Sequence, residues 1–346
     1  MTHDIYYELR EFLDGLPGGY PETGEGVEIK ILEKLFTPVE AAMAVRMTVS
    51  PEAAEAVAAR CGLDEGETSH MLESMAKKGL LFRTKRHERV SYSAFQYIFG
   101  LYDFQVNTVD RELAELMEEY FPHLGVIKSQ FRVVPVDSAV DATPGVATYD
   151  QIRDLVRKQE IISVTPCICR KEQKLLGRGC DRPSETCLSF GIAAEYRIEI
   201  DIGRRIGVEE ALGILDLAEE SDLVLCPTNS EDIAFICCCC GCCCGMLRVL
   251  ELDDRPADQI RSSFQARIDA DRCNGCAICL DPCQIGAILE ADEAMAVDLA
   301  RCLGCGLCVS SCPEQAISLA PRSQTEALAP NVADLLSDIA AQRAVI

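Results

Sequence analysis

The sequence predicts an α+β multidomain chain, and three observations carry that expectation. Three helix starts in quick succession, followed by a basic hairpin, occupy residues 30–95; strands alternate with helices over 125–255; and a 29-residue unit repeats within 266–320. Of the 21 cysteines, all but Cys61 lie in the second and third of these stretches. Fold and chemistry are therefore read together.

Residues 1–29 read as a lead-in, with one short helix around Tyr6–Leu13 and then a loop through Gly18-Gly19-Tyr20-Pro21 and Gly24-Glu25-Gly26. Thr37-Pro38-Val39-Glu40 is a capping box with proline at the first helical position. Ser50-Pro51-Glu52 repeats the cap-then-proline form, and Asp64 with Glu67 opens a third helix. Gly62 and Gly79 stand where the second and third helices should stop. Leu80 to Arg83, the basic turn Thr84–Arg89 and the alternating Val90-Ser91-Tyr92 read as a hairpin. This order resembles a winged helix-turn-helix domain over 30–95, which implies DNA binding by the helix at 65–78 and the wing. That helix, however, carries Asp64, Glu65, Glu67 and Glu73. Such charges would meet phosphate badly, so the electrostatics favour a packing module that docks a partner or another part of the chain.

Residues 96–124 connect this unit to the next through an amphipathic helix at 107–120, with Leu113, Leu116, Met117 and Tyr120 on one face for core packing. Within 125–255, Phe131–Val136 reads as a strand and Ile152, Leu155 and Val156 mark a helix. The β-branched run Ile161-Ile162-Ser163-Val164-Thr165 leads straight into Cys167 and Cys169. A helix with Val208, Ala211, Leu212 and Leu215 inward precedes Leu223-Val224-Leu225 and Cys226, and Ile233–Ile236 delivers the chain to Cys237. The alternation predicts an α/β middle domain whose cysteines stand beyond the carboxyl ends of strands, gathering Cys167, Cys169 and the 237–244 run at one edge.

Seven thiols in eight residues, Cys237–Cys240 and Cys242–Cys244 about Gly241, have almost no purely structural use. The N-terminus is polar and acidic, with neither a cationic start nor an apolar h-region. This predicts a cytoplasmic chain with reduced thiols, and metal ligation in place of disulfides. Upstream, Cys167, Cys169, Cys180 and Cys187 are the number a cubane [4Fe–4S] cluster requires, with Gly177-Arg178-Gly179 allowing a tight return. In the run, neighbouring side chains point apart, so Cys237, Cys239 and Cys242 could face one site and Cys238, Cys240 and Cys243 another. The candidate metal ligands of the middle domain are Cys167, Cys169, Cys180, Cys187, Cys237, Cys239, Cys240, Cys242, Cys243 and Cys244. They are enough for one or two further iron–sulfur clusters; zinc or copper in a thiolate cage is the competing occupant. Cys61 and Cys226 read as small buried apolar residues.

Downstream, Cys273, Cys276, Cys279 and Cys283, then Cys302, Cys305, Cys308 and Cys312, have the spacing C-x₂-C-x₂-C-x₃-C twice. Each cysteine of the second group follows its counterpart by 29 residues, as do Gly275 to Gly304 and Ala287-Ile288 to Ala316-Ile317. The segment 266–320 resembles bacterial two-cluster ferredoxins. The resemblance implies one [4Fe–4S] cluster on Cys273, Cys276, Cys279 and Cys312, and another on Cys302, Cys305, Cys308 and Cys283. Gln284 stands where that family has the proline after its fourth cysteine. The tail 321–346 carries a final helix about Asn331–Arg343 that should dock onto the body.

Thr165-Pro166-Cys167-Ile168-Cys169-Arg170, Glu185 to Gly191, Phe235 to Gly245 and the ferredoxin motifs together resemble a group of roughly 350-residue iron–sulfur proteins of anaerobic bacteria. That group generally has asparagine where this chain has Cys238. The resemblance covers most of 30–320 and implies electron transfer with no named substrate. The net charge of −23 repels nucleic acid and anionic membranes, no apolar stretch is long enough for a span, and an acidic surface suits a basic partner protein. The expected function is electron transfer between the ferredoxin clusters and the central cysteine-rich site, in complex with a redox partner such as a flavoprotein oxidoreductase. Two alternatives stand beside it: a reductase with its catalytic cluster at 237–244, and a redox-sensing regulator acting through the winged helix.

Overall fold

The computed structural model describes residues 2–125, 130–141, 151–322 and 327–343. Parts of the expected middle domain (126–129, 142–150) and of the tail (323–326, 344–346) lie outside the described residues. The lead-in is more helical than the sequence predicts: α1 (Thr2–Asp14) is followed by α2 (Val27–Leu35), which starts inside the expected loop-rich segment. The loop between them is held by burial of Tyr20, whose hydroxyl donates to Glu28 O at 2.9 Å and whose ring meets those of Tyr97 and Tyr120 at 4.8 Å.

Helix α3 (Pro38–Ala44) starts where its capping box places it. Thr37 Oγ1 accepts from Glu40 N, and the Glu40 carboxylate accepts from Thr37 N at 2.9 Å. Helix α4 (Ala54–Cys61) starts later than Pro51 predicts, because Glu52 exchanges both backbone hydrogen bonds with Tyr92 (2.9 and 2.8 Å) and is thereby held extended. Helix α5 (Glu65–Lys77) is capped by Asp64, and the antiparallel hairpin of β1 (Phe82–Arg86) and β2 (Arg89–Ser93) follows. Helix α6 (Arg111–Tyr120) begins at its Asp110 cap, later than the expected 107.

The next stretch opens with β3 (Arg132–Val133), α7 (Asp137–Asp141) and α8 (Ile152–Arg157). It continues through β4 (Ile162–Pro166), α9 (Ile168–Leu175), β5 (Glu185–Phe190), α10 (Gly191–Glu199) and β6 (Arg204–Ile206), and ends with α11 (Val208–Glu220), β7 (Val224–Pro227), β8 (Phe235–Cys239) and α12 (Gly245–Glu251). Five of these strands form one sheet in the order β6-β4-β5-β8-β7, antiparallel throughout. The expected strand–helix alternation is present without the parallel crossovers of an α/β sheet. The cause is local: α9 is short, and the chain turns back after it to re-enter the sheet at the edge it left. The N-terminal helices and hairpin lean on this sheet's helix α10, where Tyr196 donates to Ala76 O (2.7 Å) and Leu81 O (2.5 Å) and Arg83 pairs with Glu199.

The remaining elements are α13 (Pro256–Gln259), β9 (Arg261–Ser262), β10 (Phe264–Ile268), β11 (Ile288–Glu290), β12 (Met295–Val297), α14 (Leu307–Ser310), β13 (Ile317–Pro321) and α15 (Val332–Arg343). β10 pairs with β13 and β11 with β12, both antiparallel, so the two ends of the duplicated segment lie side by side. β9 pairs in parallel with β3. The result is a mixed helix-and-sheet protein, and no helix among the described residues is long and apolar enough to cross a membrane.

Candidate metal centre

The sheet explains why the thiols meet. β4 and β8 both run antiparallel to β5, which lies between them, so their carboxyl ends share an edge. Cys167 and Cys169 follow β4, Cys237 and Cys239 close β8, and Cys187 sits on β5 opposite the start of that run. Their thiols form a continuous chain of contacts. Cys167 meets Cys169, Cys169 meets Cys244, Cys244 meets Cys239 at 3.3 Å, and Cys239 meets Cys237, which meets Cys187. Cys226, on β7, joins at Cys239.

Donors and acceptors alternate along this chain. Hydrogen bonds from Cys167 and Cys244 hold Cys169 below the ordinary thiol range, those from Cys226, Cys237 and Cys244 do the same for Cys239, and that from Cys237 lowers Cys187. The donors Cys167, Cys237, Cys244 and Cys226 are pushed up, by these same bonds first and by burial next. The metal ligand is the thiolate, so a bound metal would take the proton from donors and acceptors of this chain alike.

Two buried cations balance the thiolates. Arg170 donates to Thr186 Oγ1 (2.8 Å) and Cys238 O (2.7 Å), and Arg197 donates to Cys187 Sγ at 3.3 Å. Tyr102 donates to Glu172 (2.6 Å) and reaches Cys169 Sγ at 3.5 Å. Burial raises Glu172 to about 8 and Asp103 to about 7. Phe99, Phe121, Phe131 and Met246 complete the wall.

The four upstream cysteines do not act as one set. Cys167, Cys169 and Cys187 belong to the group just described, whereas Cys180 lies with Cys240, Cys242 and Cys243, all four Sγ atoms within 4.8 Å of one another. The expected alternation within the run is corrected too: Cys237, Cys239 and Cys244 face the deep group, while Cys240, Cys242 and Cys243 face Cys180. The strand ends at Cys239, and beyond it the chain turns about Gly241, so the period of two no longer applies. Cys238 is buried, with its thiol raised by desolvation, and takes part through its carbonyl. Cys61 lies on α4, outside all these groups.

The duplicated segment places its cysteines in two crossed quartets. Cys273, Cys276, Cys279 and Cys312 line one cavity, and Cys283, Cys302, Cys305 and Cys308 line another. Backbone N–H groups point at the sulfurs in pairs related by the 29-residue repeat. Ala287 N donates to Cys283 Sγ (3.1 Å) and Ala316 N to Cys312 Sγ (3.3 Å); Ala266 N donates to Cys302 Sγ (3.3 Å) and Met295 N to Cys273 Sγ (3.4 Å). Four thiols per cavity with amide donors on the sulfurs is a donor set suited to an iron–sulfur cluster.

Gln284 touches the 237–244 run. Its Oε1 accepts from Gly241 N at 2.9 Å, and a Cβ on Gly241 would stand 2.3 Å from Gln284 O. Proline at position 284 could not make that hydrogen bond. Nearby, Val136 N donates to Cys305 O at 2.9 Å.

Sequence reasoning passed over Cys226, Arg170 and Arg197 as parts of the site. Cys226 had a usable signal, since it ends a strand as Cys167 follows one. Arg197 had none, because only the packing of α10 turns it toward Cys187.

Residues 295–318 match the 4Fe-4S binding domain family. The match spans the second cysteine motif; the first, with Gln284 after Cys283, lies outside it. No curated protein and no solved structure matches the chain. The C-terminal part is therefore a ferredoxin-like iron–sulfur region with at least one [4Fe–4S] cluster, and the chain is an iron–sulfur protein rich in further thiols.

Proposed function

We propose that the chain is an electron-transfer protein in which three groups of its own thiols hold iron–sulfur clusters. Cys273, Cys276, Cys279 and Cys312 hold one [4Fe–4S] cluster, Cys302, Cys305, Cys308 and Cys283 the second, and the deep group of Cys167, Cys169, Cys187, Cys237, Cys239 and Cys244 a third centre. Bound clusters supply one-electron chemistry. The protein's part is to orient the thiolates, aim amide N–H groups at those of the quartets, and line the deep group with Phe99, Phe121 and Phe131.

The observation that carries this reading is the contiguity of the thiols. Gly241, inside the 237–244 run, donates its N–H to Gln284 Oε1 at 2.9 Å, and Gln284 is the residue after Cys283 of the second quartet, so the run and that quartet are in direct contact. A redox partner protein, of which a flavoprotein oxidoreductase is one kind, would dock at the first quartet, where Cys276 is exposed. The winged-helix-like unit at 30–95 serves as a docking module, since its hairpin and last helix are already engaged by Tyr196 and Glu199.

Iron and acid-labile sulfide per chain, measured on anaerobically purified protein beside a Cys167→Ser/Cys169→Ser variant, test the assignment. About 12 Fe, falling to about 8 in the variant, is expected for three four-iron centres. About 8 Fe, unchanged in the variant, would remove the deep centre and leave only the ferredoxin-like quartets.

A further inference from the structure

We propose that Cys180, Cys240, Cys242 and Cys243 form a mononuclear tetrathiolate site for one zinc ion, separate from the iron–sulfur centres of the preceding section. The sulfurs are spaced for a single ion. Cys180 Sγ lies 3.9 Å from Cys240 Sγ and 3.6 Å from Cys243 Sγ, and Cys242 Sγ lies 3.7 Å from Cys243 Sγ. Four thiolates around one zinc, with Zn–S of about 2.3 Å, stand about 3.8 Å apart at the corners of a tetrahedron. A cubane instead places a whole Fe₄S₄ core between its ligands, spreading them by the core's edge and the outward reach of two Fe–S bonds.

The chain supplies its own control. Neither crossed quartet of the ferredoxin-like region closes to 4.8 Å. Among the described residues, the Cys180 set is the one group of three or more His, Cys, Asp or Glu side chains that does so. The deep group holds one close pair, Cys244 and Cys239 at 3.3 Å, but no three of its thiols close to 4.8 Å of one another, so the Cys180 set differs from it and from the crossed quartets alike.

The quartet is built into the fold. Cys243 N and Cys244 N both donate to Cys240 O (3.3 and 3.0 Å), which curls the run so that Cys240, Cys242 and Cys243 converge. The fourth ligand arrives on the loop after α9. There Arg182 is anchored to Ser221 O at 2.8 Å and reaches Cys242 Sγ at 3.8 Å, offsetting part of the thiolate charge. Four protein thiolates leave no coordination position open, which is the pattern of a structural zinc site. The ion would tie the loop after α9 to the run that walls the deep thiol group. Zinc has no redox change of its own and would hold that wall without exchanging electrons.

Zinc K-edge X-ray absorption on the whole chain, purified anaerobically, tests the site without any substitution. A single shell of four sulfurs at about 2.3 Å is expected. Absence of zinc, or nitrogen or oxygen in its shell, overturns the proposal. Metal analysis separates this site from the clusters. In Cys180→Ser/Cys243→Ser, zinc should fall from about one per chain to near zero with iron and sulfide unchanged, whereas Cys167→Ser/Cys169→Ser should keep zinc and lose iron. Loss of iron with zinc unchanged in the Cys180 pair would give the quartet to an iron–sulfur cluster and overturn the proposal.

Discussion

Ala277 and Gly306 occupy equivalent places in the two halves of the duplication, and both adopt left-handed backbone, with φ of 62° and 81°. Gly306 is confined to glycine by packing as well, since a Cβ there would lie 2.5 Å from Ala139 Cβ. Ala277 has the strained angle and keeps its Cβ, at a cost of roughly 1–2 kcal/mol, of which glycine's larger unfolded-state entropy returns a part. Ala277→Gly should therefore stabilise the chain by about 0.5–1 kcal/mol in anaerobic denaturant unfolding; a destabilised variant would count against the strain argument. At this scale the eight ferredoxin-like cysteines stand out by their repeated spacing, while their crossed grouping is implied by the resemblance to two-cluster ferredoxins. The division of the middle thiols could not be read from spacing. It depends on where the chain turns after Cys239 and where the loop after α9 returns Cys180, and both are matters of tertiary contact.

Among the elements, α6, α9 and α12 are tied together by one carboxylate. Glu118 accepts from Arg248 at 2.7 Å and from Gln173 at 2.8 Å, and pairs with Arg178 at 3.1 Å. Arg248 first, then Gln173, hold it below the usual carboxylate range. A folded pKa below the unfolded one contributes stability that is complete above the ordinary value and is lost as pH falls through the lowered one. Glu118→Gln should cost about 1–2 kcal/mol near neutrality. Its unfolding curve should converge with that of the unaltered chain as pH drops below about 4; a gap that persists in acid would mean packing, not charge, links the helices. Helices α3 and α5 were legible in the sequence because Thr37, Glu40 and Asp64 cap through local bonds. Helix α2 and the strand directions were not, since burial of Tyr20 and the return of the chain after α9 decide them from a distance.

For the whole molecule, the charge of −23 and the engagement of the N-terminal unit set what it meets. Arg83, at the base of the basic hairpin, is already paired with Glu73 and Glu199, and Tyr196 occupies the carbonyls of Ala76 and Leu81. A mixed-sequence duplex should therefore show no retardation in a gel at low salt, whether the chain is oxidised or reduced; retardation in either state would restore the regulatory reading of residues 30–95. The chain also ties its far end to its beginning. From α15, Arg343 donates to the carbonyl oxygens of Asp14 (2.7 Å) and Leu16 (2.5 Å) and to the Asp14 carboxylate (3.0 Å). During synthesis the first helix leaves the ribosome long before its clasp exists, and every thiol group is translated in between. The clasp can close only after the metal-binding residues have emerged, so this contact between α1 and α15 forms later in synthesis than any contact among the thiols can.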